Sequence, residues 1–240
     1  MNAVLVARNL SFSFPSTGAP LFRDVNLSLR SGEVMAILGL SGSGKTTLCY
    51  CLCGIIPLIV EGELEGEVRI DGVRTTEMRP PEIAEKLGVV FQDPEGGLFF
   101  PVVEDEVAFG PENLCIPPEE IGHRVHAALR AVGMEDFRHR NPHRLSGGEK
   151  QLIATASVLS LGPRVLILDE CMSQLDERGR TMMRALILRL REAGKAILMV
   201  EHNPENLTVA DRMAILDDGR LRPFDGDWGY GDCRSQDRDR

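Results

Sequence analysis

Residues 39–46, GLSGSGKT, constrain this chain more than any other feature. Gly39, Gly42 and Gly44 permit dihedrals and close approaches that side chains obstruct, so the backbone N–H groups of such a loop can crowd around oxygens carrying several negative charges. Lys45 supplies a point charge suited to a β/γ-phosphate pair, and the Thr46 hydroxyl suits a Mg2+ ion. The flanks agree. Residues 34–38, VMAIL, form a short apolar run of the kind found in buried parallel strands. Residues 45–53 continue as a helix whose N-terminus faces the phosphates. Strand, glycine turn and helix in that order commit the surrounding chain to a layered α/β fold.

The 240 residues, 43% of them apolar, suffice for one large α/β domain with a subdomain and not for two full domains. No apolar stretch approaches the ~20 residues that span a bilayer, and the N-terminus lacks a charged-then-apolar leader. The expectation is a cytosolic protein that touches a membrane only through a partner. A net charge of −9 without a basic block argues against nucleic-acid binding. Cys49, Cys51 and Cys53 spread around the helix after the glycine loop and read as packing residues, with Cys115, Cys171 and Cys233 isolated. His123, His126, His139 and His143 read as solvated, with no carboxylates at zinc-like spacing.

Residues 4–29 alternate apolar and polar around a turn at 15–20, which predicts an antiparallel hairpin. Further strands are expected at 68–72, 87–91, 165–168, 196–200 and 213–216, and helices at about 118–132, 149–159 and 177–193. Residues 93 to roughly 161 read as a helical insertion, and the βαβ alternation elsewhere implies a mostly parallel, doubly wound sheet. Past Arg222 the apolar period is lost, and a frayed tail over 223–240 is expected.

Asp169 and Glu170 end an apolar strand and so reach the carboxyl edge of the sheet, where ligands bind in such folds. Asp169 is placed to hold Mg2+ and Glu170 to polarise an attacking water. His202 and Gln92 also follow strands, where a lone His is ordinarily a polar cap and a lone Gln means little. A γ-phosphate contact for the first and a water-orienting or Mg2+-ligating role for the second rest mostly on the resemblance given below. A second anion site is expected at Ser146, Gly147 and Gly148, where a serine cap and two glycines open a helix. One chain rarely needs two phosphate-anchoring helix starts, so the natural user of the second is the nucleotide of another copy.

With these residues in view, nearly the whole chain resembles the ATP-binding cassette (ABC) ATPases. The resemblance makes residues 39–46 the Walker A loop, Gln92 the Q-loop glutamine and residues 145–151, LSGGEKQ, the signature motif. It makes residues 165–170 the Walker B segment, residues 173–176 the D-loop ending in Asp176, and His202 the switch histidine. Phe14 stands where the family carries an aromatic that stacks on adenine, with Phe12 nearby as the alternative. ATP contacts are then implied at Phe14, Gly39, Leu40, Ser41, Gly42, Ser43, Gly44, Lys45, Thr46 and Thr47, and across a dimer at Ser146, Gly147, Gly148 and Asp176. Metal contacts are implied at Thr46, Gln92 and Asp169, and catalytic roles at Glu170, His202 and Gln92.

The implied fold is α/β: a P-loop NTPase (RecA-like) core with a mostly parallel sheet, an N-terminal antiparallel β-subdomain and an inserted α-helical subdomain. It forms a single domain over 1–222, with the core at about 1–92 and 162–222 and the helical part at about 93–161.

Residues 55–72 and 91–114, and the form of 169–176, are similar to the ATPases of energy-coupling-factor (ECF) importers of vitamins or transition-metal ions. This implies a second ATPase chain, a transmembrane coupling subunit, a substrate-binding membrane subunit, and a place on the cytoplasmic face of the membrane. Glu104, Asp105 and Glu106 then become candidates for pairing with arginines of a membrane partner. Glu149, Leu152 and Cys171 depart from the usual Gln, Arg and Pro or Ala. The alternatives are the ATPase of a generic ABC transporter and a soluble ABC ATPase without a channel.

Overall fold

The computed structural model describes residues 3–15 and 18–226. In chain order its elements are β1 (Ala3–Ser13), β2 (Phe22–Arg30), β3 (Val34–Leu38), α1 (Lys45–Leu52), the four-residue α2 (Ile55–Leu58), β4 (Glu63–Ile70) and β5 (Val73–Arg74). Then follow α3 (Pro80–Ala84), β6 (Leu87–Val90), α4 (Val103–Asn113), α5 (Pro118–Ala131), α6 (Gly147–Ser160), β7 (Val165–Asp169), α7 (Glu177–Glu192), β8 (Ala196–Val200), β9 (Arg212–Asp217) and β10 (Arg220–Pro223).

The strands form two sheets. One has four strands in the order β2-β1-β4-β5, antiparallel throughout; the other has six in the order β10-β9-β3-β8-β7-β6. In the second sheet β9, β3, β8, β7 and β6 run parallel and only the edge strand β10 is antiparallel. All residues of β3, β7 and β8 are buried, as expected of central parallel strands covered on both faces. One face packs through Ile37, Ile167 and Leu198 onto α1 and the antiparallel sheet. The other packs through Val34, Leu168 and Ile197 onto α4 to α7.

The run from β6 to β7 holds α4, α5 and α6, as the helical insertion requires. The start of α4 is tied to the loop before the signature motif: Val103 N donates to Arg140 O and Glu104 N to Arg138 O. Two orphan N–H groups of that helix start are thereby satisfied. The fold continues past residue 222, because β10 runs to Pro223 and Phe224 N donates to Met213 O. Residues 227–240, with Cys233 and the rest of the expected tail, lie outside the described residues. Among the described residues no helix is long and apolar enough to cross a membrane.

Candidate functional site

Adjacent parallel strands bring four sequence segments to one edge. β3 ends before Gly39, β7 at Asp169, β8 before Glu201 and His202, and β6 two residues before Gln92. Between them lies a cleft of about 350 Å³ lined by Phe14, Leu21, Ser41, Gly42, Gly44, Lys45, Thr46, Thr47, Gln92 and Glu170. Leu21 is the member that the sequence did not single out. Its side chain would lie 3.0 Å from a Cβ at Gly44.

The glycine loop is built as the dihedral argument requires. Gly42 and Gly44 have φ of 79° and 96°, which other residues adopt only with strain. A Cβ at Gly39 would fall 2.5 Å from the Leu216 carbonyl oxygen, so the loop can pass β9 only without a side chain there. Lys45 is buried, and its Nζ donates to the carbonyls of Gly39 and Leu40, both at 2.9 Å. The loop thus holds its own cation in the place where an incoming phosphate would compete for it. Ser43 Oγ is buried and bonded to no other described group. Leu40 is exposed.

Asp169 is almost wholly buried, and burial pushes its carboxyl above the usual range while a hydrogen bond from Thr46 opposes the shift. Its Oδ1 has no hydrogen-bond partner among the described residues. A buried carboxylate oxygen left bare beside a hydroxyl suits a hard cation and is costly without one. No cluster of three or more His, Cys, Asp or Glu side chains that could hold a metal by itself occurs among the described residues, so a cation here needs further oxygens from a ligand. Glu170 has φ of 49°, an uncommon left-handed setting for a glutamate. Its N–H donates to Val200 O at 3.0 Å while the carboxylate turns into the cleft. His202 Nδ1 lies 3.7 Å from Glu170 Oε2.

Of the two candidate aromatics, Phe12 is fully buried. Phe14 packs against it edge-on at 4.8 Å and reaches the cleft. Phe14 is therefore the ring available to a ligand.

Ser146, Gly147, Gly148 and Asp176 do not join this cleft. They line a second one of about 500 Å³, with Glu149, Gln174, Leu175 and Arg178 among its other walls. Ser146 caps α6 as its sequence predicts: Glu149 N donates to Ser146 Oγ, and Ser146 N and Oγ both donate to Glu149 Oε2 at 2.8 Å. This reciprocal capping box uses the glutamate that departs from the usual glutamine. Asp176 caps α7 by accepting from Gly179 N at 2.7 Å.

Three residues with a place at the site, Gln151, Gln174 and Glu201, carried no individual role in the sequence. Gln151, fully buried, donates from Nε2 to Phe91 O at 2.9 Å and so fastens the signature helix to the residue before Gln92. Gln174 Nε2 lies 3.5 Å from Gln92 O. Glu201 is buried behind His202, and burial pushes its carboxyl up to about 7. The sequence signal for Gln151 is its place in the motif, on the inward face of the helix that Ser146 caps. Glu201 gives no such signal, because an acidic residue at a strand end is ordinarily solvated.

The acidic trio does not present three free carboxylates to a partner. Glu106 is buried and accepts from Phe99 N and Phe100 N, both at 2.8 Å. Glu104 is engaged by Arg138 and lies 3.5 Å from His139 Nδ1. Asp105 is exposed and Glu104 partly so. Helical spacing alone could not show that the preceding loop folds back to use Glu106 as its acceptor. His123, His126, His139 and His143 are all exposed, and among the described residues His139 has the single carboxylate contact of the four, with Glu104. The thiols of Cys51 and Cys53 are pushed up by burial to about 12 and about 11, which fits inert packing groups.

A third cavity, apolar and about 300 Å³, lies beside Phe91 and is lined by Gly54, Ile55, Leu58, Ile59, Ile83, Phe91, Val158 and Leu161. Ile59 at its rim is 74% exposed and Leu58 46%, an unusual setting for two large aliphatic side chains side by side.

Known proteins share both sequence and fold with this chain. The family model described as ABC transporter matches residues 22–173. A Pyrococcus abyssi protein whose name assigns it to the ABC transporter ATP-binding proteins is 44% identical over 220 residues, 91% of this chain and 79% of its own. The energy-coupling factor transporter ATP-binding protein EcfA1 of Levilactobacillus brevis is 37% identical over 219 residues, 91% and 77% of the two chains. Among solved structures, cbiO1 of Clostridium perfringens, described as part of the ABC transporter complex cbiONQ, has a TM-score of 0.81 at 32% identity over 92% of this chain and 87% of its own. The bacterial cassette MJ0796, in a dimeric post-hydrolysis state with ADP and phosphate bound, has a TM-score of 0.79 at 25% identity over 92% and 99%. With a matching family model over most of its length, relatives above 40% identity and a glycine loop facing a carboxylate pair, the chain belongs to the ABC transporter family as one of its ATP-hydrolysing cassettes.

Proposed function

We propose that this cassette powers an importer of the energy-coupling-factor type, for a vitamin or a transition-metal ion, from the cytoplasmic face of the membrane. The observation that carries the reading is the apolar cavity beside Phe91, with exposed Leu58 and Ile59 at its rim and Gln92 one residue away. Such a cavity suits an apolar helix of a transmembrane coupling subunit, which would itself stand beside a substrate-binding membrane subunit. Relatives named for ECF transporters favour this class over a soluble ATPase.

In this reading ATP stacks its adenine on Phe14, and residues 39–47 wrap its phosphates. Lys45 exchanges the Gly39 and Leu40 carbonyls for the β/γ-phosphates. Thr46, Asp169 and Gln92 would hold Mg2+, which the bare Oδ1 of Asp169 supports. When bound, the ion neutralises charge on the phosphates. Glu170 accepts the proton of the attacking water, and His202, 3.7 Å away, contacts the γ-phosphate. Ser146, Gly147, Gly148 and Asp176 face the nucleotide of a second cassette. Their separate cleft supports a site completed between two chains.

The test is purification of the tagged chain from membranes of its own host, with identification of what accompanies it. Recovery with a small polytopic coupling subunit and a substrate-binding membrane subunit is expected. Recovery only as a membrane-free dimer would replace the reading with that of a soluble ABC ATPase, and recovery with permease subunits of another kind with that of a generic transporter. Replacing Leu58 and Ile59 by Asp should release the membrane subunits while ATP hydrolysis by the detached dimer persists.

A further inference from the structure

Glu201 has no part in the chemistry described above, yet it is one of the few charged side chains that is almost completely buried, at 2% exposure. Its backbone N–H extends the central sheet by donating to Ile37 O. Its side chain turns back on its own loop. The N–H groups of His202 and Asn203 favour the ionised carboxylate, and Asn206 Nδ2 donates to Oε2 at 3.2 Å. Oε1 has no partner among the described residues. A packing role would be met at lower cost by an apolar side chain, since a bare buried carboxylate oxygen is expensive.

The contacts continue outward from there. Asn206, itself buried, accepts at Oδ1 from Arg184 Nη1 at 3.4 Å. Arg184 Nη2 donates to Glu177 Oε1 at 2.9 Å. Glu177 is the first residue of α7, directly after Asp176. Arg180 donates both to Glu177 and to the Leu175 carbonyl, which lies in the D-loop. One unbroken series of polar contacts therefore runs from the D-loop to the backbone that carries His202.

We propose that Glu201 is a positioning residue for His202, holding the 202–203 backbone so that the imidazole stays beside Glu170, and that Asn206 and Arg184 tie this placement to the D-loop of the same chain. The D-loop faces the second cassette in the reading above, so a partner that displaces it would be sensed at the γ-phosphate contact. The inference rests on that reading of His202, and the experiment separates the two.

ATP hydrolysis is measured for Glu201→Ala, Glu201→Gln and Arg184→Met, each alone and combined with His202→Ala. Glu201→Ala should lower kcat by about tenfold to a hundredfold and leave KM within about twofold. Glu201→Gln keeps an acceptor oxygen for the three donors and should restore the rate to within about threefold of the parent. In the His202→Ala background neither Glu201→Ala nor Arg184→Met should change kcat by more than about twofold, because the group they act through is gone. Equal losses with and without His202 would make Glu201 a stabilising residue only and overturn the proposal. Full activity of Glu201→Ala would do the same. A fully active His202→Ala would remove both the proposal and the role of His202 on which it rests.

Discussion

The phosphate-loop cleft and the signature cleft are both built on helix starts, yet they are finished differently. At the first, buried and charged groups converge from several strand ends, and some are left wanting: Asp169 Oδ1, Ser43 Oγ and Glu201 Oε1 have no described partner. At the second, Ser146 and Glu149 satisfy one another and Asp176 caps its own helix. The first cleft is incomplete within one chain and electrostatically loaded. The second is internally satisfied, and in the proposed reading it adds to a nucleotide held by another chain. In that reading the chemistry belongs to the first cleft, and the second contributes by arriving.

The sharpest way to break this contrast is at Glu170. Glu170→Gln should lower ATP turnover by about a thousandfold while nucleotide affinity stays within a fewfold, read from steady-state hydrolysis and equilibrium binding of labelled ATP. Parental turnover would show that the general base lies elsewhere.

The loading of the first cleft also predicts a pH response of the nucleotide-free protein. Burial raises the Glu201 carboxyl from 4.5 to about 7, so the folded chain binds this proton more tightly than the unfolded chain. The associated stability is fully present below about pH 4.5 and is lost as pH rises through about 7. Glu201→Gln has no such proton. Relative to it, the parent should lose up to about 3 kcal/mol between pH 4.5 and 8, measured by denaturant unfolding of both chains across that range. Asp169 shifts in the same direction but is common to both. Parallel pH profiles would mean that Glu201 is not held as described.

The smallest effect is expected at the second cleft. Ser146→Arg should reduce hydrolysis by about tenfold at protein concentrations that support dimers, with ATP affinity of the monomer unchanged. A loss of monomer affinity would show that this segment reaches its own chain's nucleotide and would erase the distinction between the two clefts.

What the sequence made legible followed from local rules. The loop at 39–46, the buried runs of β3, β7 and β8, and the cap at Ser146 each depend on a few neighbouring residues whose chemistry admits one arrangement. What it hid depended on contacts across the chain. Phe12 and Phe14 share a strand period, and only the end of β1 at Ser13 separates a core ring from one that reaches the cleft. Glu106 is a surface residue by composition and a buried acceptor by virtue of a loop that folds back on it. The cavity beside Phe91 draws on residues from 53 to 161, and no local pattern assembles them.

The buried amide of Gln151 carries one more consequence. It bonds the carbonyl of Phe91 from the helix that Ser146 begins, and breaking the bond would leave the fully buried amide without that partner. If the helical layer tilts as a rigid body, this fastening acts as a crank pin: the tilt pulls the main chain at residue 91 and advances Gln92 with it. The amide and the carbonyl should then exchange their slowest motions together. Substituting Gln151 by Leu would uncouple the crank while leaving both clefts fully furnished.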